Sequence, residues 1–364
     1  MRLSWTLFGY VARAFLVKFA GVLAGILCIV LVFDLIELLR RGGGQANVGF
    51  GLLIEMALLK LPNMAQIVLP FAVLFAGLLT FSRLTRTNEL IVCRAAGVSA
   101  WQFLAPAIVC AFLIGAFRVT VFNPVAAVMT ARFEQLEDQV LRGRSSLLAV
   151  SESGLWLRQG SQGSDSILHA GSLDPRDQVF HDVIGFLFDG EDGFAGRLDA
   201  KRARLLPGRW EFEGVELMHR DQTPQKLERY SLPTELTLAH LQDTFAPPET
   251  LSFWDLPRFI DILERAGFSA ARHRLHLNAL LSSPLLLCAM VLIAAAFSMR
   301  MVRRGGTMAI AAGGLASGFI LYFATDLIYA LGLSARLPVV LAAWTPAAVS
   351  LLLGVATLLH QEDG

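Results

Sequence analysis

Six apolar windows of bilayer-crossing length, set three and three around a polar stretch, constrain this chain more than any other feature. They run Phe15–Phe33, Met64–Leu84, Trp101–Phe122, Ala279–Phe297, Met308–Leu331 and Leu337–Leu358. A helix needs about 20 apolar residues to cross a hydrocarbon core about 30 Å thick. Pro62, Pro70 and Pro284 lie in or beside these windows, as membrane helices tolerate where neighbours satisfy the freed backbone groups. Composition agrees. Hydrophobic residues make up 55% of the 364 and charged residues 17%, with a mean hydropathy of +0.56, so polar surface is too scarce for a water-soluble protein of this length. The first window is too long for a signal-peptide core and lacks a small-x-small cleavage site, so it reads as an uncleaved anchor.

Basic residues in the short loops set the orientation. Arg2 and Arg13 precede the first window, Arg83, Arg86 and Arg94 lie between the second and third, and Arg300, Arg303 and Arg304 follow the fourth. The alternate loops hold only Arg40, Arg41 and Arg336. Both termini are therefore expected in the cytoplasm and the polar stretch outside. A net charge of +1 argues against nucleic acid as a partner.

The polar stretch, about Ser145 to Leu236, carries short runs of β character. These are LWLRQ at 155–159, SILHA at 166–170, DVIGFLFD at 182–189, GRLDAKRARL at 196–205, RWEFEGVELMH at 209–219 and KLERYSL at 226–232. Turn residues separate them at 161–165, 174–177, 189–193 and 207–209. Such spacing suggests an antiparallel sandwich or jelly roll. The organisation expected is residues 1–124 with three spans, 125–144 as a helical connector, 145–251 as the β domain, and 252–364 with a connector helix and three more spans. The connector helix, Ser252–Gly267, has apolar residues at helical spacing and is expected at the membrane surface. Cys28, Cys93, Cys110 and Cys288 all lie outside the β stretch, so disulfides do not staple it, and no CxxC or Cys/His cluster suggests a metal.

Three polar groupings are candidates for function. The loop Arg83–Gly97 (RLTRTNELIVCRAAG) can form a short surface helix with an apolar face, fit for a groove on a partner; an ordinary positive-inside loop would look the same. At the exit of the first span, Asp34, Glu37 and Arg41 fall near one helical face, and Glu37 and Arg41 make a favourable i,i+4 pair. Arg40 and Arg41 there suit either lipid phosphates or plain interfacial anchoring. Among ionisable residues in the spans, Lys18 can snorkel, Arg118 lies toward an outer end, and Asp326 is deep in the fifth span, a gating or packing residue. His273 and His276 share a helical face but lack further ligands, and read as an interfacial pair. The pairs GG at 305–306 and 313–314 suit a tight turn and close helix packing. No GxxxxGK[ST], GxSxG or HExxH motif is present, so energy must come from a partner.

Several segments, in this order and topology, resemble the LptF/LptG permeases of lipopolysaccharide export. They are DLIELLRR at 34–41, LP…VLPFAVLFAGL at 61–78, RLTRTNELIVCRAAGVS at 83–99, LLAVSESGLWLRQ at 147–159, LSFWDLPRFI at 251–260 and RRGG at 303–306. The resemblance covers essentially the whole chain and is closer to the LptG branch than to the LptF branch. It implies a six-helix (3+3) inner-membrane permease with an inserted periplasmic jelly-roll-like domain, itself non-catalytic. It further implies an LptF-like sister permease, an LptB-like cytoplasmic ATPase dimer that binds the ATP and Mg, and an LptC-like membrane-anchored bridge protein. By the same resemblance Arg83–Gly97 is a coupling helix acting through Arg86, Glu89, Leu90 and Arg94, with Glu89 matching the family's acidic coupling residue. Arg40 and Arg41 match basic residues that meet the lipid's phosphates, and Arg118 and Arg132 join them as substrate-binding candidates. Asp34 and Glu37 depart from the pattern, which can carry a further basic residue there, and are grouped with Asp326 as gating or packing residues. A lipoprotein-release subunit, usually with four spans, and a non-transporting membrane-anchored scaffold are the alternatives.

Overall fold

The computed structural model describes residues 5–42, 49–142, 148–151, 154–161, 164–174, 177, 179–189, 193–219, 223–234, 246–301, 307–334 and 336–362. Arg2, the RRGG turn at 303–306 and parts of the turns at 161–165, 174–177 and 189–193 lie outside the described residues. Two compact units form, one from residues 1–141, 249–254 and 271–364, the other from 142–248 and 255–270.

In the first unit the helices are α1 (Trp5–Gly42), α2 (Phe50–Arg86), the short α3 (Glu89–Ala95), α4 (Ala100–Phe117) and α5 (Asn123–Glu137). The later helices of this unit are α7 (Ala271–Met301), α8 (Thr307–Leu333) and α9 (Val339–Glu362), with α6 (Leu256–Arg265) belonging to the other unit. Among the described residues six runs are long and apolar enough to cross a membrane, and each contains or largely overlaps one window read from the sequence. Several are longer than a bilayer requires: the 38 residues of α1 span about 57 Å. Small residues let the spans approach closely. A Cβ on Gly115 of α4 would lie 2.5 Å from Pro284 Cα of α7, and one on Gly314 of α8 would collide with Leu78 of α2. Phe15, Leu74, Phe81, Leu104, Leu287 and Ala294 share the main apolar core. A second core, with Leu38, Leu53, Met56, Phe133 and Leu136, joins the far ends of α1, α2 and α5.

The third span continues into the expected polar helix through a π-helical turn, Arg118–Phe122. Pro124 explains the turn. It has no N–H for the carbonyl of Thr120 four residues back, while the Asn123 N–H bonds the Arg118 carbonyl five residues back. The Thr120 carbonyl instead accepts from the indole Nε1 of Trp254 at 3.1 Å.

Among its described residues the second unit is all-β with one helix. Its strands are β1 (Leu148–Ser151), β2 (Gly154–Ser161), β3 (Ser164–Asp174), β4 (Val179–Asp189), β5 (Gly193–Leu206), β6 (Arg209–His219) and β7 (Gln225–Pro233). The six runs read from the sequence all lie in strands; β1 was not foreseen. The inserted antiparallel domain is present, and among the described residues seven strands pair in chain order as a meander. One face carries the core. Leu157, Leu168, Leu198 and Leu217 form one buried row across the register, and Leu173, Phe180, Ala203 and Phe212 another. Between these rows Asp182, Lys201 and Gly214 fall out of the pairing at one level, and the burial alternation changes phase there. Asp182 and Gly214 take φ of 52° and 66°, a local twist that returns both rows to one face.

The connector helix departs from expectation. As α6 (Leu256–Arg265) it belongs with the sheet rather than with the last three spans. Leu256, Ile260 and Leu263, at i, i+4 and i+7, are buried, so its apolar stripe packs inside the β unit instead of lying free for a membrane surface. The Leu173 N–H of β3 donates to the Ala266 carbonyl at 3.0 Å. Gly267 follows at φ 83°, where a Cβ would collide with the Leu173 carbonyl.

Candidate functional site

Two polar sites flank the spans. The first is α3, the short helix expected in Arg83–Gly97. Asn88 enters it in the left-handed region at φ 58°, and Ser99 and Gln102 form a reciprocal capping box that starts α4. Leu90 is buried in the core of the spans, whereas Ile91 and Val92 are 59% and 66% exposed. Leu90, expected among the coupling contacts, therefore seats the helix, and the apolar surface left for a partner is Ile91 and Val92. Arg86 and Arg94 are exposed beside them. Glu89 is half-buried. Its carboxylate accepts from the Thr87 hydroxyl at 2.8 Å and lies within electrostatic range of the Tyr10 hydroxyl of α1. The sequence reading missed Tyr10, and no local pattern marks it.

The second site lies at the opposite ends of α1, α2 and α5. Glu37 bridges both arginines: Arg40 Nε and Arg41 Nε donate to its two oxygens at 2.9 and 2.7 Å, with the i,i+4 pair formed as read. Arg41 is also 3.5 Å from Glu137 of α5. Asp34 accepts from Lys60 Nζ of α2 at 2.7 Å. The acidic residues that depart from the family pattern are thus each matched by a cation. Lys60 was missed, although a lysine within the run LLKLPNMA is a signal in itself. Exposure separates the roles. Arg40 is 74% exposed and Arg41 53%, while Lys60 and Asp34 are 30% and 15%; Asp34 and Lys60 fasten helices, and the arginines are presented to the surroundings. Arg132 of α5 is exposed one residue before Phe133, whose ring lies 6.0 Å from Lys60 Nζ.

The remaining candidates lie apart from both sites. Asp326 is exposed on α8 among exposed Phe323 and Leu327, so it is not packed within this chain. Arg118 is in the π-turn, half-buried beside α7. His273 and His276 lie on α7, and no metal-binding group of three forms among the described residues.

Six membrane helices, a short exposed helix between the second and third, and an all-β domain inserted between the third and fourth define a multi-pass membrane subunit of a transporter class. The family described as "Lipopolysaccharide export system permease LptF/LptG" matches residues 9–360, and the chain belongs to that family. Similar proteins include the lipopolysaccharide export system permease protein LptG of Escherichia coli strain K12, 22% identical over 333 residues, with 90% of each chain covered. The LptG of Escherichia coli O6:H1 is similar to the same degree. Membership makes this chain a permease of lipopolysaccharide export, a transporter subunit rather than an enzyme.

Proposed function

We propose that this permease forms one wall of a lipopolysaccharide-extracting ABC transporter of the bacterial inner membrane, with the β domain in the periplasm and both termini in the cytoplasm. An LptF-like permease supplies the facing wall, and an LptB-like ATPase dimer binds ATP and Mg and docks on α3. The observation that carries this is the split burial of α3. Leu90 is sunk in the core of the spans while Ile91 and Val92 stand exposed, so force applied to the exposed turn is delivered to spans one to three. Glu89, which accepts from Thr87, places its carboxylate near Tyr10 of α1. At the other end Arg40, Arg41 and Arg132 present cations to the phosphates of the lipid, and an LptC-like bridge continues the path from the β domain.

Co-expression with the ATPase tests the reading. Ile91→Glu with Val92→Glu is expected to abolish co-purification of the ATPase while the variant still inserts and melts like the parent. Charge reversal at Glu89 is expected to reduce it. Unchanged co-purification in both would favour a scaffold without transport.

A further inference from the structure

Spans three and four bring a group of charges together at one end. Ile108 meets Cys288, and Gly115 meets Pro284, so α4 and α7 run antiparallel. From the Gly115–Pro284 crossing, Arg118 lies about 4.5 Å further along its chain and His276 about 12 Å along α7 in the same direction. An arginine side chain bridges such a gap. Arg118, Arg272, His273 and Glu249 are all within electrostatic range of His276, and Tyr329 of α8 is within range of Glu249 and Arg272. Among these residues the single carboxylate, Glu249, stands with two arginines, Arg118 and Arg272.

Arg118 and His276 are not satisfied internally. Arg118 Nε and His276 Nε2 are buried and have no hydrogen-bond partner, and Arg118 makes no ion pair among the described residues. A guanidinium cannot shed its charge by deprotonation, and a desolvated charge without a counter-ion is costly. Both residues are nonetheless only half-buried, so each keeps an accessible edge.

We propose that Arg118, with His276 beside it, forms a binding site for a phosphate-class oxyanion, the guanidinium supplying charge and donors. A lipid headgroup is the favoured source, because Phe117 and Val121 beside Arg118 are 56% and 51% exposed and make an apolar border suited to acyl chains. The site is separate from the Arg40–Arg41 cluster. The helical run from Arg118 to Glu137, which faces Arg41, covers about 28 Å.

Thermal unfolding of the full-length, delipidated protein in uncharged detergent tests this. Dihexanoyl phosphatidic acid and inorganic phosphate are titrated separately against sodium chloride of equal ionic strength. Phosphatidic acid is expected to raise the midpoint saturably, with affinity at least tenfold weaker in Arg118→Gln, about threefold weaker in His276→Gln, and nearly retained in Arg118→Lys. Arg40→Gln with Arg41→Gln is expected to leave the affinity unchanged. Without ligand, Arg118→Gln is expected to melt no lower than the parent, since it removes an unpaired charge. An equal effect of inorganic phosphate, also lost in Arg118→Gln, would support the site and assign it to a soluble anion. The proposal is overturned if neither probe gives a saturable shift, if the shift survives Arg118→Gln, or if ligand-free Arg118→Gln melts lower, which would reveal an internal partner.

Discussion

The Lys60 ammonium donates to the Asp34 carboxylate at 2.7 Å and joins α1 to α2 across 26 residues of sequence. Beneath it lies the ring of Phe133 from α5. One partly buried ion pair thus sits where three helices meet, and it accounts for an acidic residue that would otherwise oppose a phosphate-binding role for Arg40 and Arg41.

Removing one member of the pair leaves the other partly buried and uncompensated. Asp34→Ala is expected to lower stability by about 1–3 kcal/mol, and Asp34→Leu combined with Lys60→Met to recover most of the loss. Thermal unfolding of the purified chain measures both; a double variant no better than the single would show that the ion pair is not the cause.

Gly115 has no room for a side chain against Pro284. Gly115→Val is expected to cost about 1–3 kcal/mol by forcing spans three and four apart. The change should appear as a lower unfolding midpoint and poorer membrane accumulation, and a silent substitution would contradict the close crossing.

Trp254 satisfies the carbonyl that Pro124 leaves open. Trp254→Phe keeps the ring but removes the donor to Thr120, at an expected cost of about 1 kcal/mol. Hydrogen exchange in Arg118–Asn123 should quicken locally, while exchange in the distant α9 stays as it was.

Docking of α6 on the sheet depends on its apolar stripe. Leu263 is fully buried, and Leu263→Asp is expected to cost about 3 kcal/mol or more through lost burial and a desolvated charge. Trypsin should then cut at Arg258 or Arg265, whereas the parent should resist under the same conditions.

Within the β unit, Gln159 accepts from both Trp210 Nε1 at 3.1 Å and the Thr234 hydroxyl at 2.7 Å. Gln159→Leu would remove this acceptor from both donors, leaving the buried Trp210 indole N–H unpaired, and is expected to cost about 1–3 kcal/mol. Near-ultraviolet circular dichroism of Trp210 follows the change; an unaltered spectrum and midpoint would show that the donors find other acceptors.

The spans, the six strand segments and the Glu37–Arg41 pair were legible along the chain because each rests on a local cause. A bilayer sets the length of an apolar run, a pleat sets a period of two, and a helical turn sets the i,i+4 contact. What only the tertiary structure decided is which side of each element is covered. That α6 packs on a sheet, that Leu90 turns inward while Ile91 and Val92 stay out, and that Lys60 answers Asp34 all depend on a surface brought from elsewhere in the chain. The same holds at Thr120, where proline chemistry predicts a freed carbonyl but only folding delivers the Trp254 indole. Local periodicity carries no information about which distant surface will arrive, so the six helices and the inserted domain were in the sequence while their contacts were not.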